Sequence, residues 1–154
     1  MSTTLQAERA TLLPRLFSLI AESSFSSLLE FFSSSFDYWQ IGPPSVAAFL
    51  PHQGQLGTVD AVIGTLQILK AGVWAKADRL EAHRAIQEDD SMALRATIFA
   101  TARDGRPYEM PIVFFVDFEE GTSKIVRIQE TIDSAYAQAT SARLKAAQEA
   151  ANKA

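Results

Sequence analysis

Residues 92–133 read MALRATIFATARDGRPYEMPIVFFVDFEEGTSKIVRIQETID, and this stretch decides the fold. Two short turns cut it into three apolar segments. Asp104-Gly105 is a strong hairpin signal, because glycine supplies the positive φ that a tight turn needs. Glu120-Gly121-Thr122-Ser123 is the second turn. Strands are therefore expected over Met92–Arg103, Tyr108–Glu119 and Lys124–Asp133, with a further one before them over Ala75–Glu88. Together they form a meander of long antiparallel strands.

Working outward, Leu5–Ala21 is expected to be a helix. Leu5, Leu12, Leu16, Leu19 and Ile20 recur near helical spacing, and Pro14 lies early enough to cost only a kink. A short helix over Ser24–Ser33 carries Phe25, Leu28, Leu29 and Phe32 on one face, with serines suited to caps and turns around it. Phe36–Ile41 reads as a strand ended by Gly42-Pro43-Pro44. Ser45–Gly57 is a loop, and Thr58 then caps a helix with Asp60 in its first turn. Val59, Val62, Ile63, Leu66 and Leu69 form its apolar stripe, and Lys70 and Gly72 close it. Ser134–Ala154 is an Ala-rich tail with high helix propensity but a weak stripe, expected to pack on a partner or fray. The order predicts an α+β fold, a cone-shaped curved antiparallel sheet wrapped over about three N-terminal helices, plus a C-terminal helical tail.

A chain of 154 residues is expected to be one domain, with its core over about 5–136 and the tail over 137–154. At 47% apolar and 21% charged it reads as globular rather than disordered. Without cysteine it has no disulfide framework, thiolate nucleophile or iron–sulfur site, and two histidines leave little for a transition-metal site. No cofactor is expected. The net charge of −4 and the lack of a basic stripe argue against nucleic acid. The most apolar stretch, Leu12–Phe36, is broken by Pro14, Arg15, Glu22 and Glu30, so no membrane span is expected. The first residues lack a basic n-region, and a cytoplasmic location is the expectation.

The last strand carries the sharpest chemical signal. Period two places Val126, Ile128, Glu130 and Ile132 on one face and Arg127, Gln129, Thr131 and Asp133 on the other. A carboxylate among β-branched apolar neighbours loses hydration, and its pKa should climb toward neutrality, as a general acid or base requires. The plainer reading pairs Glu130 with a nearby arginine or leaves it at a wet strand end. In Met92–Arg103 the residues Met92, Leu94, Ala96, Ile98 and Ala100 share a face, and Arg95, Thr97, Phe99 and Thr101 the other. If that second face lines a pocket, Arg95 is an anion clamp or a partner for Glu130. Otherwise it meets solvent. His52 sits in the loop Leu50–Gly54, where function is often carried, and His83 reads as exposed or structural. Tyr38 and Trp39 take opposite faces of the first strand, so one of them should point inward.

Thr101–Glu109 (TARDGRPYE), the aromatic strand after it, Lys124–Asp133, and Pro51–Gly57 (PHQGQLG) leading into Asp60-Ala61-Val62 together resemble the SnoaL-like polyketide cyclase family. That family resembles ketosteroid isomerase and nuclear transport factor 2 in fold, and the likeness covers about Leu12–Tyr136. It implies one deep apolar pocket between bent sheet and helices, and a homodimer formed through the sheet. It also implies a catalytic acid on the last strand, at Glu130. The ketosteroid isomerase residues are absent. Its helix tyrosine falls at Phe17, its base near Ile41 and its oxyanion-hole aspartate at Pro111, so that mechanism is not expected. Asp133–Tyr136 is similar to small fungal members acting on terpenoid and polyketide products.

The expected function is a cofactor-free isomerase, cyclase or dehydratase for a small apolar oxygenated metabolite such as a polyketide or terpenoid. Glu130 is the expected acid or base, with His52 a second proton carrier. Tyr38, Trp39, Arg95, Thr97, Phe99, Val113, Phe115, Ile128 and Ile132 are the expected substrate contacts, with Glu109 at the rim. The alternative is a non-catalytic ligand-binding or dimeric interaction module of the same fold.

Overall fold

The computed structural model describes residues 2–40 and 55–153. Helix α1 spans Thr3–Ala21, with the Ser2 hydroxyl accepting from the Leu5 N–H at 3.2 Å. Its buried residues, Leu12, Leu13, Leu16, Phe17 and Ile20 with Arg9, all belong to one face. Where a short helix is expected, Phe25–Phe31 forms a 3₁₀ helix. This tighter form suits a short, serine-flanked segment. Strand β1 (Tyr38–Gln40) and strand β2 (Gln55–Leu56) follow. Helix α2 spans Val59–Val73 and is capped by Thr58, whose hydroxyl accepts from the Ala61 N–H at 3.2 Å. The meander comprises β3 (Trp74–Glu88), β4 (Ser91–Ala102), β5 (Pro107–Phe118) and β6 (Ile125–Ile132). Each strand begins and ends within one residue of expectation. Gly105 and Gly121 take φ of +80° and +66° in the two hairpin turns, a region side chains rarely adopt.

The sheet order is β2-β1-β6-β5-β4-β3. One pairing corrects the all-antiparallel expectation. β1 runs parallel to β6, with Trp39 opposite Ile128. The two are joined by the whole intervening chain rather than by a hairpin, so no turn forces antiparallel pairing. Register shifts in β3 between Trp74/Lys76, Ala77/Arg79 and Ala82/Arg84 bend the sheet toward the helices.

The hairpin registers fix which face is which. Ile98 pairs with Met110, and Phe114 with Glu130, so even-numbered residues of β4, β5 and β6 share the inner face. That face and the apolar face of α1 form the core. Arg9 is fully enclosed and ties α1 to two turns. It donates to the carbonyl oxygens of Thr122 and Asp89 and to Asp90 Oδ1, and its guanidinium lies 4.4 Å from the Phe118 ring centroid.

The Ala-rich tail forms helix α3 (Ser134–Ala151) and packs on its own chain. Asp133 caps it by accepting from the Tyr136 N–H. The Tyr136 hydroxyl accepts from the Glu109 N–H at 2.8 Å, and Arg143 forms an ion pair with Asp104 at 2.5 Å. These contacts hold α3 beside the β4–β5 turn. Among the described residues, no helix is long and apolar enough to cross a membrane.

Candidate active site

Between the inner sheet face and the helices lies a cavity of about 450 Å³. Its walls are Leu13, Leu16, Phe17 and Ile20 of α1, Leu66 and Leu69 of α2, and the inner residues of the sheet. Helix α3 supplies Ala137, Thr140 and Leu144, with Ser141, Lys145 and Gln148 alongside. The cavity is large enough for a small metabolite and overwhelmingly apolar, as ligand sites commonly are.

Glu130 stands in this wall. Trp39, brought opposite Ile128 and two positions from Glu130 by the parallel pairing, donates its Nε1–H to Glu130 Oε1 at 2.6 Å. Among the described residues, Glu130 has no ion pair. Burial raises its pKa from 4.5 to about 7, and the Trp39 hydrogen bond opposes part of that rise by favouring the charged form. The carboxyl is thus poised to give or take a proton near neutral pH.

Of the other expected contacts, Trp39 and Ile132 line the cavity. Ile128, paired with Trp39 of β1, is fully buried and is core rather than lining. Arg95, Thr97, Phe99, Glu109, Val113 and Phe115 lie on the opposite, outer face of the sheet. All are odd-numbered, and the hairpin registers turn every odd position of β4 and β5 outward. Arg95 is exposed and cannot be the partner of Glu130 across the sheet. Thr97 instead bonds His83 Nε2 at 2.8 Å, and Arg79 stacks on Phe99 at 4.1 Å. Phe115 is 49% exposed. Tyr38 is also outward, its hydroxyl accepting from Gln129 Nε2 at 3.0 Å. His52 lies outside the described residues.

Sequence reasoning missed Tyr108 and Trp74 as a pair in the wall, their ring centroids 6.0 Å apart. Burial pushes the Tyr108 phenol up from 10, with the nearby Tyr136 and Glu130 charges adding to it, so it stays neutral and a donor. The signal was present. Even-with-even register follows from the Asp104-Gly105 turn once β4 is oriented, and it turns Tyr108 inward with Met110 and Ile112. Among the described residues, no group of acidic and histidine side chains could hold a metal ion.

No protein-family model matches the sequence, and no curated protein does. Solved structures do. PrhC from Penicillium brasilianum superposes with a TM-score of 0.73 at 18% identity, covering 92% of this chain and 91% of its own. An NTF2-like protein of unknown function from Burkholderia pseudomallei gives 0.68 at 18%, covering 88% and 94%. IdmH from Streptomyces antibioticus, a proposed polyketide cyclase, gives 0.66 at 16%, covering 86% and 97%.

Proposed function

We propose that the chain is an isomerase or cyclase that moves a proton on a small apolar carbonyl metabolite, of polyketide or terpenoid type. Its fold, that of the nuclear transport factor 2-like proteins, agrees with the SnoaL-like resemblance of the sequence. The observation that carries this reading is Glu130, a carboxyl of pKa about 7 that accepts from the Trp39 N–H, in the wall of an apolar cavity. The name of IdmH, a structural neighbour, supports the polyketide class.

In the reaction, the Glu130 carboxylate takes a proton from a carbon beside the carbonyl. The C–H electron pair passes into the C=O, giving an enolate. The neutral acid then returns the proton to a different carbon, which isomerises the substrate. Alternatively the enolate carbon attacks a second carbonyl, closes a ring, and the acid protonates the new alkoxide. Apolar walls keep water from quenching the enolate.

The test is deuterium incorporation from D₂O into a panel of apolar ketones and 1,3-diketones, followed by NMR. The wild type should catalyse exchange, with a rate that rises as pH passes through about 7. Glu130→Gln should lose about 10²–10⁴-fold of that rate while keeping ligand affinity. Ketones bound by the wild type without any exchange would instead favour the non-catalytic binding module.

A further inference from the structure

Tyr108 is 8% exposed and lines the cavity, yet among the described residues its hydroxyl donates to nothing. The Trp74 Nε1–H is buried without a hydrogen bond of ordinary geometry. It lies toward the Tyr108 oxygen, where it partly offsets the rise in the phenol's pKa. An N–H facing that oxygen occupies its lone-pair side, so the phenol's own proton must turn elsewhere. Its other neighbours include the Tyr136 ring, at 5.7 Å between centroids, and, within electrostatic reach, Glu130. The direction left is the cavity. The Tyr108 oxygen is not among the fully buried atoms that lack a partner, so it is open to the cavity, where a ligand oxygen can accept its proton.

The position matters as much as the donor. Tyr108 lies six positions along β5 from Phe114, the residue paired with Glu130, and on the same face. That separation is roughly 20 Å along a straight strand, shortened here by the bend of the sheet and by two side chains reaching inward. Glu130 and Tyr108 are thus two polar groups in the wall of one apolar space, near enough for the Glu130 charge to raise the Tyr108 pKa.

We propose that Tyr108, oriented by Trp74, is the residue that recognises a ligand's carbonyl oxygen. The ligand is then an apolar molecule whose acceptor oxygen meets Tyr108 while another of its atoms faces Glu130. This rests on reading the cavity as a ligand site, but not on proton transfer at Glu130.

Two near-isosteric probes test it, 2-acetylnaphthalene and 2-isopropenylnaphthalene, which differ by a carbonyl oxygen against a CH₂. Affinities are measured by equilibrium dialysis at pH 9, where Glu130 is ionised and cannot donate. The wild type should bind the ketone about five- to tenfold more tightly than the alkene, the worth of one net hydrogen bond. Tyr108→Phe should bring that ratio near one while leaving alkene affinity in place. Glu130→Leu should keep the ratio, so loss of proton transfer and loss of this recognition read out separately. The infrared carbonyl stretch of the ketone bound to the wild type should shift to lower frequency than in hexane, a reading that needs no variant. An unshifted stretch, no ketone preference in the wild type, an unchanged ratio in Tyr108→Phe, or failure of the wild type to bind either probe overturns the proposal.

Discussion

Arg9 and Glu130 are both ionisable side chains drawn inside the same fold, and their surroundings are opposite. Arg9 meets two backbone carbonyls, a carboxylate and the face of Phe118. Asp90, its ionic partner, is held below the usual carboxylate range by that guanidinium and by the Gly121 N–H. Glu130 has the Trp39 N–H and an apolar cavity. A charge whose hydration is replaced by protein dipoles is a structural tie. A charge whose hydration is mostly not replaced carries a raised free energy, and that energy is available for moving a proton.

Removing each side chain should therefore have effects of opposite sign. The largest is expected at Arg9. Arg9→Met keeps the side chain's bulk but strands two carbonyls between the β3–β4 and β5–β6 turns. The expected loss is about 3 kcal/mol in urea unfolding, below the full value for a buried pair because Asp90 is partly exposed. A loss under about 1 kcal/mol would show that water replaces the guanidinium easily.

Glu130→Gln should do the reverse, increasingly as pH rises above 4.5. The folded pKa, about 7, lies above the ordinary 4.5. Between those values the folded state holds a proton that the unfolded state has released. Stability is thus greatest below pH 4.5 and falls as pH rises through 7. Above pH 8 the ionised carboxylate costs about 3 kcal/mol, from a shift of between two and three pKa units. The glutamine variant should be more stable than wild type by up to that amount at pH 8.5 and equal to it at pH 4. Parallel stability–pH curves for the two proteins would break the contrast with Arg9.

The contrast was only half legible in the sequence. Glu130 could be found because period-two alternation puts it among Val126, Ile128 and Ile132, and local alternation does not depend on tertiary context. Arg9 could not. Its partners lie 80 and more positions away in two turns, and on a helix an arginine beside apolar residues reads as a boundary of the stripe. The outer-face residues Arg95, Thr97, Phe99, Val113 and Phe115 failed for a different reason. Alternation splits a strand into two faces but does not name the inner one, and β4 and β5 carry apolar residues on both. Naming it requires carrying parity through both hairpins from one anchored residue, and Glu130 was that anchor. Helix α3 was legible as a helix, but its packing on its own chain was hidden by its weak stripe, because it lines the cavity with only a narrow strip such as Ala137, Thr140 and Leu144.

The smallest effect is also the one that tests the contrast most directly. Among the described residues, Trp39 supplies the one hydrogen bond that moves Glu130 partway toward the condition of Arg9. Trp39→Phe keeps an aromatic ring against Phe32 but removes the N–H. The charged carboxylate then loses its donor while the neutral acid loses little. The Glu130 pKa should rise further, by about one unit for a hydrogen bond to a charged group. Titrating the glutamate side-chain carboxyl ¹³C resonance reads that midpoint directly, and the pH midpoint of ketone exchange should move with it. The direction separates two roles for Trp39. A packing role would lower stability equally at every pH and leave the midpoint near 7. A solvating role would leave acid-side stability nearly intact, deepen the alkaline loss and shift the midpoint upward. The second outcome would mean that the cavity's acid is tuned by how few dipoles reach it, with one indole N–H setting the remainder.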